Sequence, residues 1–329
     1  MRTPIPTVST RTSVLDFLHL LRWLDGSPLV PTIEDYRRQI LSTVLDTYDD
    51  DGRVTYNLAL CGRGKKNSKS LDLVLSALFA CLAYDSIHGN ECFICATDSD
   101  QASDDLSLLK KLIAVSPHLA SRLIVRDKII VRKDGKGFIE VLPGHDVAGS
   151  HGKTYRFCGI DEIHTQRDWS LLEALALDPT RPDAQLWITS YNSIHHRPGI
   201  PLFDLLAQAK RGDDPRMYVS WFGADWCSDP AAMMLPTPEA RANPSMASFA
   251  PDYLDQQRRR LPSHVFKKIA LESRRLARRL RLHRRIDHGQ RHPGRPRAPA
   301  RTRRHVSRVH RHERRLARRC RLRDRLPRC

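Results

Sequence analysis

Two short stretches of the sequence combine residue types suited to chemistry on phosphates. The first, CGRGKKNSKSLD at positions 61–72, is a basic, glycine-containing turn that follows an apolar run and opens a helical one. A loop in that place can aim its backbone N–H groups, and the N-terminus of the next helix, at a phosphate chain. Lys69 then reaches the phosphate oxygens and Ser70 ligates Mg²⁺. Against the pattern Gly-x4-Gly-Lys-Ser/Thr, the register set by Lys69 and Ser70 puts Arg63 and Ser68 where the two glycines would stand. Gly62 and Gly64 still give local freedom, Lys65, Lys66 and Asn67 complete the loop, and Ser68 is expected to fit if its φ stays negative. The second stretch, TYRFCGIDEIH at 154–164, is an apolar strand ending in Asp161-Glu162. If both strands share a sheet, its carboxyl edge brings these acids to the loop. Asp161 would hold Mg²⁺ and Glu162 would orient and deprotonate a water, which is what hydrolysis of ATP needs. Either stretch alone also reads as an ordinary solvated turn; it is their coincidence that points to chemistry.

Those residues need a scaffold, and the pattern along the chain supplies one. Strand-like runs at 54–61, 91–96, 155–160, 185–190 and 216–222 alternate with helical ones at 70–84, 101–115, 170–177 and 251–260. Residues 123–143 read as a hairpin or small strand group around Asp134-Gly135, and 13–24 and 33–45 as leading helices. Such alternation predicts an α/β fold with a mostly parallel central sheet covered by helices on both faces. The expected divisions are a helical lead-in (1–52), a core (53–200), a lid or linker subdomain (201–273) and an Arg-rich tail (274–329). The formal charge of +18 belongs to that tail, where 23 Arg stand against three acids; residues 1–273 hold 32 basic and 34 acidic residues. The tail is expected to be disordered or partly helical, since self-repulsion and few apolar residues oppose a core.

The residues at 65–70, KKNSKS, resemble the loop of the phage terminase large subunit family, commonly Arg-Lys-Asn-Gly-Lys-Ser or Thr, with Lys65 for Arg and Ser68 for Gly. EDYRRQIL (34–41) is similar to the family's segment near the adenine site, which would cast Gln39 as a base reader and Tyr36 as its neighbour. LWITSYNS (186–193) looks like the family's coupling motif, with Thr189 and Ser190 as candidates. ANPSMASFAPDYLDQQRRRLPSHVFKKIALES (242–273) resembles its lid. The resemblance spans about 30–273 and implies a P-loop NTPase three-layer fold in the ATPase motor of a DNA-packaging terminase, viral or prophage, acting in the bacterial cytoplasm. It implies double-stranded DNA, a portal protein, a small terminase subunit and other copies of the chain in a ring as partners. The family's nuclease domain would follow, but beyond 273 only Asp287, Glu313 and Asp324 are acidic, so no nuclease activity is expected.

The γ-phosphate also calls for a cation. Arg63 could supply it within the chain, and Arg122, Arg126, Arg132 or Arg156 could reach a neighbour. Cys92-x-x-Cys95 lies in one apolar run with no second pair, so core packing is expected rather than zinc. His145, His151, His195 and His196 read as loop histidines. No apolar run is long enough to span a bilayer, so no membrane partner is expected. Two other readings stay open: an inactive terminase remnant, spoiled by Ser68, that holds DNA through its tail, and another P-loop motor such as a helicase.

Overall fold

The computed structural model describes residues 12–96, 99–143, 152–192, 195 and 197–273. His145, His151, His196, Cys320, Cys329 and the Arg-rich stretch 274–329 lie outside the described residues. Ser13 caps helix α1 (Val14–His19), its Oγ accepting from the Asp16 amide at 3.1 Å. The helix expected to reach residue 24 stops at His19, because the Asp25-Gly26-Ser27 turn, with Gly26 at φ 85°, folds the chain back. Helix α2 (Asp35–Leu45) buries Arg37, Ile40, Leu41, Val44 and Leu45, one stripe at helical spacing.

From there strands and helices alternate: β1 (Leu58–Gly62), α3 (Lys69–Leu82), β2 (Asn90–Ala96), α4 (Ser99–Val115) and α5 (Pro117–Arg122). The antiparallel group β3 (Leu123–Val125), β4 (Ile129–Arg132) and β5 (Gly137–Pro143) follows. Then come β6 (Phe157–Ile160), α6 (Ser170–Ala174), β7 (Gln185–Ser190), α7 (Pro201–Arg211) and β8 (Met217–Trp221). Four short helices close the described chain: α8 (Pro230–Met233), α9 (Pro238–Ala242), α10 (Tyr253–Arg260) and α11 (Ser263–Leu271). The strands form one sheet in the order β3-β4-β5-β2-β6-β7-β1-β8, parallel from β5 to β8.

Alternation along each strand builds the two cores. Cys92 and Ile94 face a cluster with α1 to α4, whereas Phe93 and Cys95 face another with α7 and the segment around Leu171. This is the expected three-layer α/β fold with helices on both faces of a mostly parallel sheet. The six described cysteines are free and buried. The stretch 201–273 is not wholly apart from the core, since β8 pairs in parallel with β1; Phe266, Ala270 and Leu271 form a small separate apolar cluster. Among the described residues, no helix is long and apolar enough to cross a membrane.

Candidate active site

Strand order decides what meets what. β7 lies between β1 and β6, with Cys61 level with Thr189, Gly62 with Ser190, and Ile160 with Ile188. The loop after β1, the end of β7 and the acids after β6 therefore share one carboxyl edge of the sheet. The loop leaves β1 through Gly62, where a Cβ would stand 2.1 Å from the Trp221 ring, so no other residue fits. Its first amides are held from outside: Gly64 N donates to Ala242 O at 3.0 Å and Lys65 N to Ile269 O at 2.8 Å. Asn67 staples the loop to the same segment, with Nδ2 donating to Asn243 Oδ1 (2.9 Å) and Oδ1 accepting from the Ser245 amide (3.0 Å). The amides from Asn67 to Ser70 find no backbone acceptor among the described residues, as expected at the open first turn of α3. They can serve an anion.

Lys69, 5% exposed, reaches back to Arg63 O (3.1 Å) and lies 3.8 Å from Glu162 Oε1. Ser70 Oγ donates to Asp161 Oδ2 at 2.6 Å, and the Thr189 hydroxyl donates to Asp161 Oδ1. Burial, then the neighbouring Glu162 charge, push the Asp161 carboxyl up, although the Ser70 and Thr189 hydroxyls work against this. A buried carboxylate beside a hydroxyl, short of positive charge, suits Mg²⁺, which takes few protein oxygens and keeps its other positions for water and phosphate. Among the described residues, no three of His, Cys, Asp and Glu form a cage for a metal, and this kind of site requires none. Burial also pushes Glu162 up, but Lys69 and His164 beside it more than offset that and hold it below the ordinary range. The two adjacent acids are thus shifted in opposite directions, Asp161 up and Glu162 down. It adopts the left-handed conformation, φ 57°, which turns it from the strand direction. Ser190 Oγ donates to Tyr191 O at 2.8 Å and accepts from the His164 amide at 3.2 Å.

Several expectations change. Ser68 sits at φ 60°, ψ 26°, not at negative φ, and Lys66 is also left-handed at φ 69°. The loop must reverse just before α3, and a glycine there would do so without Cβ strain. Ser68→Gly is expected to raise stability by about 0.5–1 kcal/mol, read from urea denaturation. Arg63 does not face the phosphate side. Its guanidinium is 1% exposed, with Nε donating to Asn67 O at 2.6 Å and Nη2 on Asp72, so it braces the loop from within. Tyr36 lies beside the loop, its hydroxyl 2.7 Å from Ser245 Oγ and its ring 5.4 Å from the Arg63 guanidinium carbon. Gln39 is exposed on α2 and is not brought to the loop. Arg132 and Arg156 are buried in ion pairs with Asp85 and Asp134 and with Asp183, which removes them as groups offered to a neighbour; Arg126 remains exposed.

Four residues escaped the sequence reading. Arg37 and Asp72 join Arg63 in a buried ion cluster under the loop, with Arg37 Nη2 2.7 Å from Asp72 Oδ1. Their spacing within two different helices carries no signal that they meet. On α4, Gln101 Nε2 donates to Asp161 Oδ2 at 3.1 Å, and Asp105, one turn on, is 2% exposed. An acid on the inward face of an amphipathic helix is the signal that could have found Asp105.

Burial first, then the Asp161 charge, push the Asp105 carboxyl up to about 8. The folded chain thus holds a proton there that the unfolded chain releases above about pH 4. The penalty for ionising this buried acid is absent below about pH 4 and complete above the folded value, so stability falls as pH rises through that window. Asp105→Asn removes the penalty. Wild-type stability is expected to drop against that of the variant between pH 5 and 9 by on the order of a few kcal/mol, seen as a falling melting temperature. Parallel melting curves would exclude the effect.

No protein-family model and no curated protein matches the sequence. Among solved structures, the HK97 bacteriophage large terminase matches with a TM-score of 0.64 at 16% identity, covering 79% of this chain and 54% of that one. The ATPase domain of the Thermus phage P74-26 large terminase matches at 0.46 and 15% identity, over 79% of this chain and 97% of that domain. The large terminase of a thermophilic bacteriophage matches at 0.49 and 11% identity, over 73% of this chain and 52% of that one. The chain spans about half the length of the HK97 protein. Sheet order and the course of the chain give this protein the α/β fold of the HK97 bacteriophage large terminase.

Proposed function

We propose that this chain is the ATPase motor of a viral DNA-packaging terminase. The observation that carries the proposal is the meeting of Ser70 with Asp161 at 2.6 Å beside Lys69 and Glu162, on one rim of a sheet whose fold matches the HK97 large terminase. The amides from Asn67 to Ser70 receive the β- and γ-phosphates, and Lys69 leaves the Arg63 carbonyl to hold their oxygens. Ser70 and Asp161 would hold Mg²⁺, which neutralises charge on the phosphate oxygens when bound. Glu162 orients water in line with the γ-phosphate and takes its proton. Thr189, hydrogen-bonded to Asp161, and Ser190, on the His164 amide, pass the change at the phosphate to the end of β7. Translocation of double-stranded DNA, with a portal, a small terminase subunit and further copies in a ring, follows as the use of that hydrolysis.

The test is phosphate release by the full chain with ATP and Mg²⁺, with and without linear duplex DNA. Turnover is expected, and Lys69→Ala should lower it by about 10²-fold or more while weakening nucleotide binding. A folded wild-type chain that neither binds nor hydrolyses ATP, with Ser68→Gly failing to restore it, would leave the inactive remnant. Strand separation of a duplex with a single-stranded overhang would instead identify a helicase.

A further inference from the structure

One side chain at this rim has no place in the scheme above, although it touches the group that activates water. His164 lies two residues past Glu162, in the short 3-10 helix Ile163–Thr165, and is only 8% exposed. Its Nδ1 is 3.0 Å from Glu162 Oε2. The other oxygen of that carboxylate, Oε1, has Lys69 Nζ at 3.8 Å. These two contacts differ in kind. Lys69 is the group that phosphate oxygens would claim, so its hold on Glu162 is lost when nucleotide binds. His164 makes no such exchange and stays beside Oε2.

The histidine is fixed in turn by β7 and the residue after it. Its amide donates to Ser190 Oγ at 3.2 Å, and its ring lies 4.0 Å from the Tyr191 ring, centroid to centroid, at 41°. Tyr191 is itself 8% exposed and has Lys65, Lys69 and Lys268 Nζ between 5.4 and 5.7 Å from its ring centroid. Lys268 belongs to α11, and Lys65 and Lys69 to the loop and the start of α3. A ring held on several sides by cations and an imidazole has little room to rotate. Rotation of Glu162 would have to displace His164, and displacement of His164 would press on Tyr191.

We infer that His164 is a positioning residue for Glu162, holding Oε2 so that the carboxylate keeps one orientation, with Tyr191 as the wall against which the imidazole rests. This rests on the reading of Glu162 as the group that activates water. An outer group of this type acts on turnover and not on substrate affinity, because it touches neither nucleotide nor metal. Asparagine can place a side-chain nitrogen close to where Nδ1 stands; alanine cannot.

Two measurements on the full chain test it. In protein labelled with ¹⁵N-histidine and free of nucleotide, Glu162→Gln is expected to move the His164 Nδ1 resonance and leave that of His118 in place. In steady-state ATP hydrolysis, His164→Ala should lower kcat about 10–100-fold with KM within about threefold of wild type. His164→Asn should recover most of the loss, and His164→Ala added to Glu162→Gln should cost nothing further. An unmoved resonance overturns the inference, as does a loss of kcat that multiplies with that of Glu162→Gln or that asparagine cannot restore in a folded protein. A wild-type chain without ATP turnover would count against the proposed function, while the resonance still decides the contact.

Discussion

Glu162→Gln is expected to lower kcat for ATP hydrolysis by about 10³-fold while leaving nucleotide affinity within a few-fold of wild type. Gln keeps the shape and one oxygen of the side chain but cannot accept a proton from water. The nucleotide contacts assigned to Lys69, Ser70 and the loop amides are untouched by the change. In the nucleotide-free chain Lys69 and His164 outweigh burial and hold the Glu162 carboxyl below the ordinary range, so it is ionised throughout the neutral region. The pH dependence of kcat/KM, which reports the nucleotide-free chain, should therefore show a fall only as pH drops below that range, through the lowered value, where the carboxylate takes up a proton. Steady-state phosphate release and fluorescent-nucleotide titration at several pH values check both statements. Wild-type kcat in the Gln variant would remove Glu162 from the chemistry.

The second large effect is structural. Asp72→Ala is expected to destabilise the chain by about 3–5 kcal/mol, since it strips two buried guanidinium groups of their shared carboxylate. Arg37 and Arg63 are each 1% exposed, and Asp72 takes Arg37 on Oδ1 and Arg63 on Oδ2. A loss of that size is a large fraction of the stability of an ordinary domain. It should also reach the nucleotide, because Arg63, once its Nη2 has lost Asp72, no longer holds the Asn67 carbonyl in place through Nε. Urea denaturation and nucleotide titration measure the two consequences, and Asp72→Asn, which keeps acceptor and shape, should fall between wild type and Ala. An Ala variant as stable as wild type would mean that the cluster contributes nothing net.

How far the amino-acid order alone reached can be judged from particular elements. Strand β7 was legible to the residue, because QLWITS is a short, mostly apolar run between a Pro-Asp-Ala turn and a polar segment, the pattern of a buried parallel strand. Helix α7 was not marked at all, although its apolar stripe and the closing Gly212 at φ 69° are ordinary helix signals; the Pro-rich stretch around it masked them. Lys69, Ser70, Asp161 and Glu162, which the fold brings together, were singled out because local context marks them: strand, turn, helix in one case, strand and acid in the other. Arg63 was read as a catalytic cation because a sequence gives a charge no direction, whereas the buried Asp72 beneath it does. Gln39 and Arg37 stand two residues apart on one helix, and only packing shows that Arg37 points inward and Gln39 outward.

What sequence alone determined, then, is local. It set the elements, their alternation and the residue types at their ends, since each follows from side-chain period, turn chemistry and burial of apolar runs. The tertiary structure decided which ends meet. Placing β7 between β1 and β6 brings Thr189 and Asp161 to Ser70 across 91 and more residues of chain, and the helical segment at 242–269 closes on the loop through Ala242, Asn243 and Ile269. Those pairings rest on strand order and on the satisfaction of buried charge and backbone polar groups, which are properties of the whole packed chain.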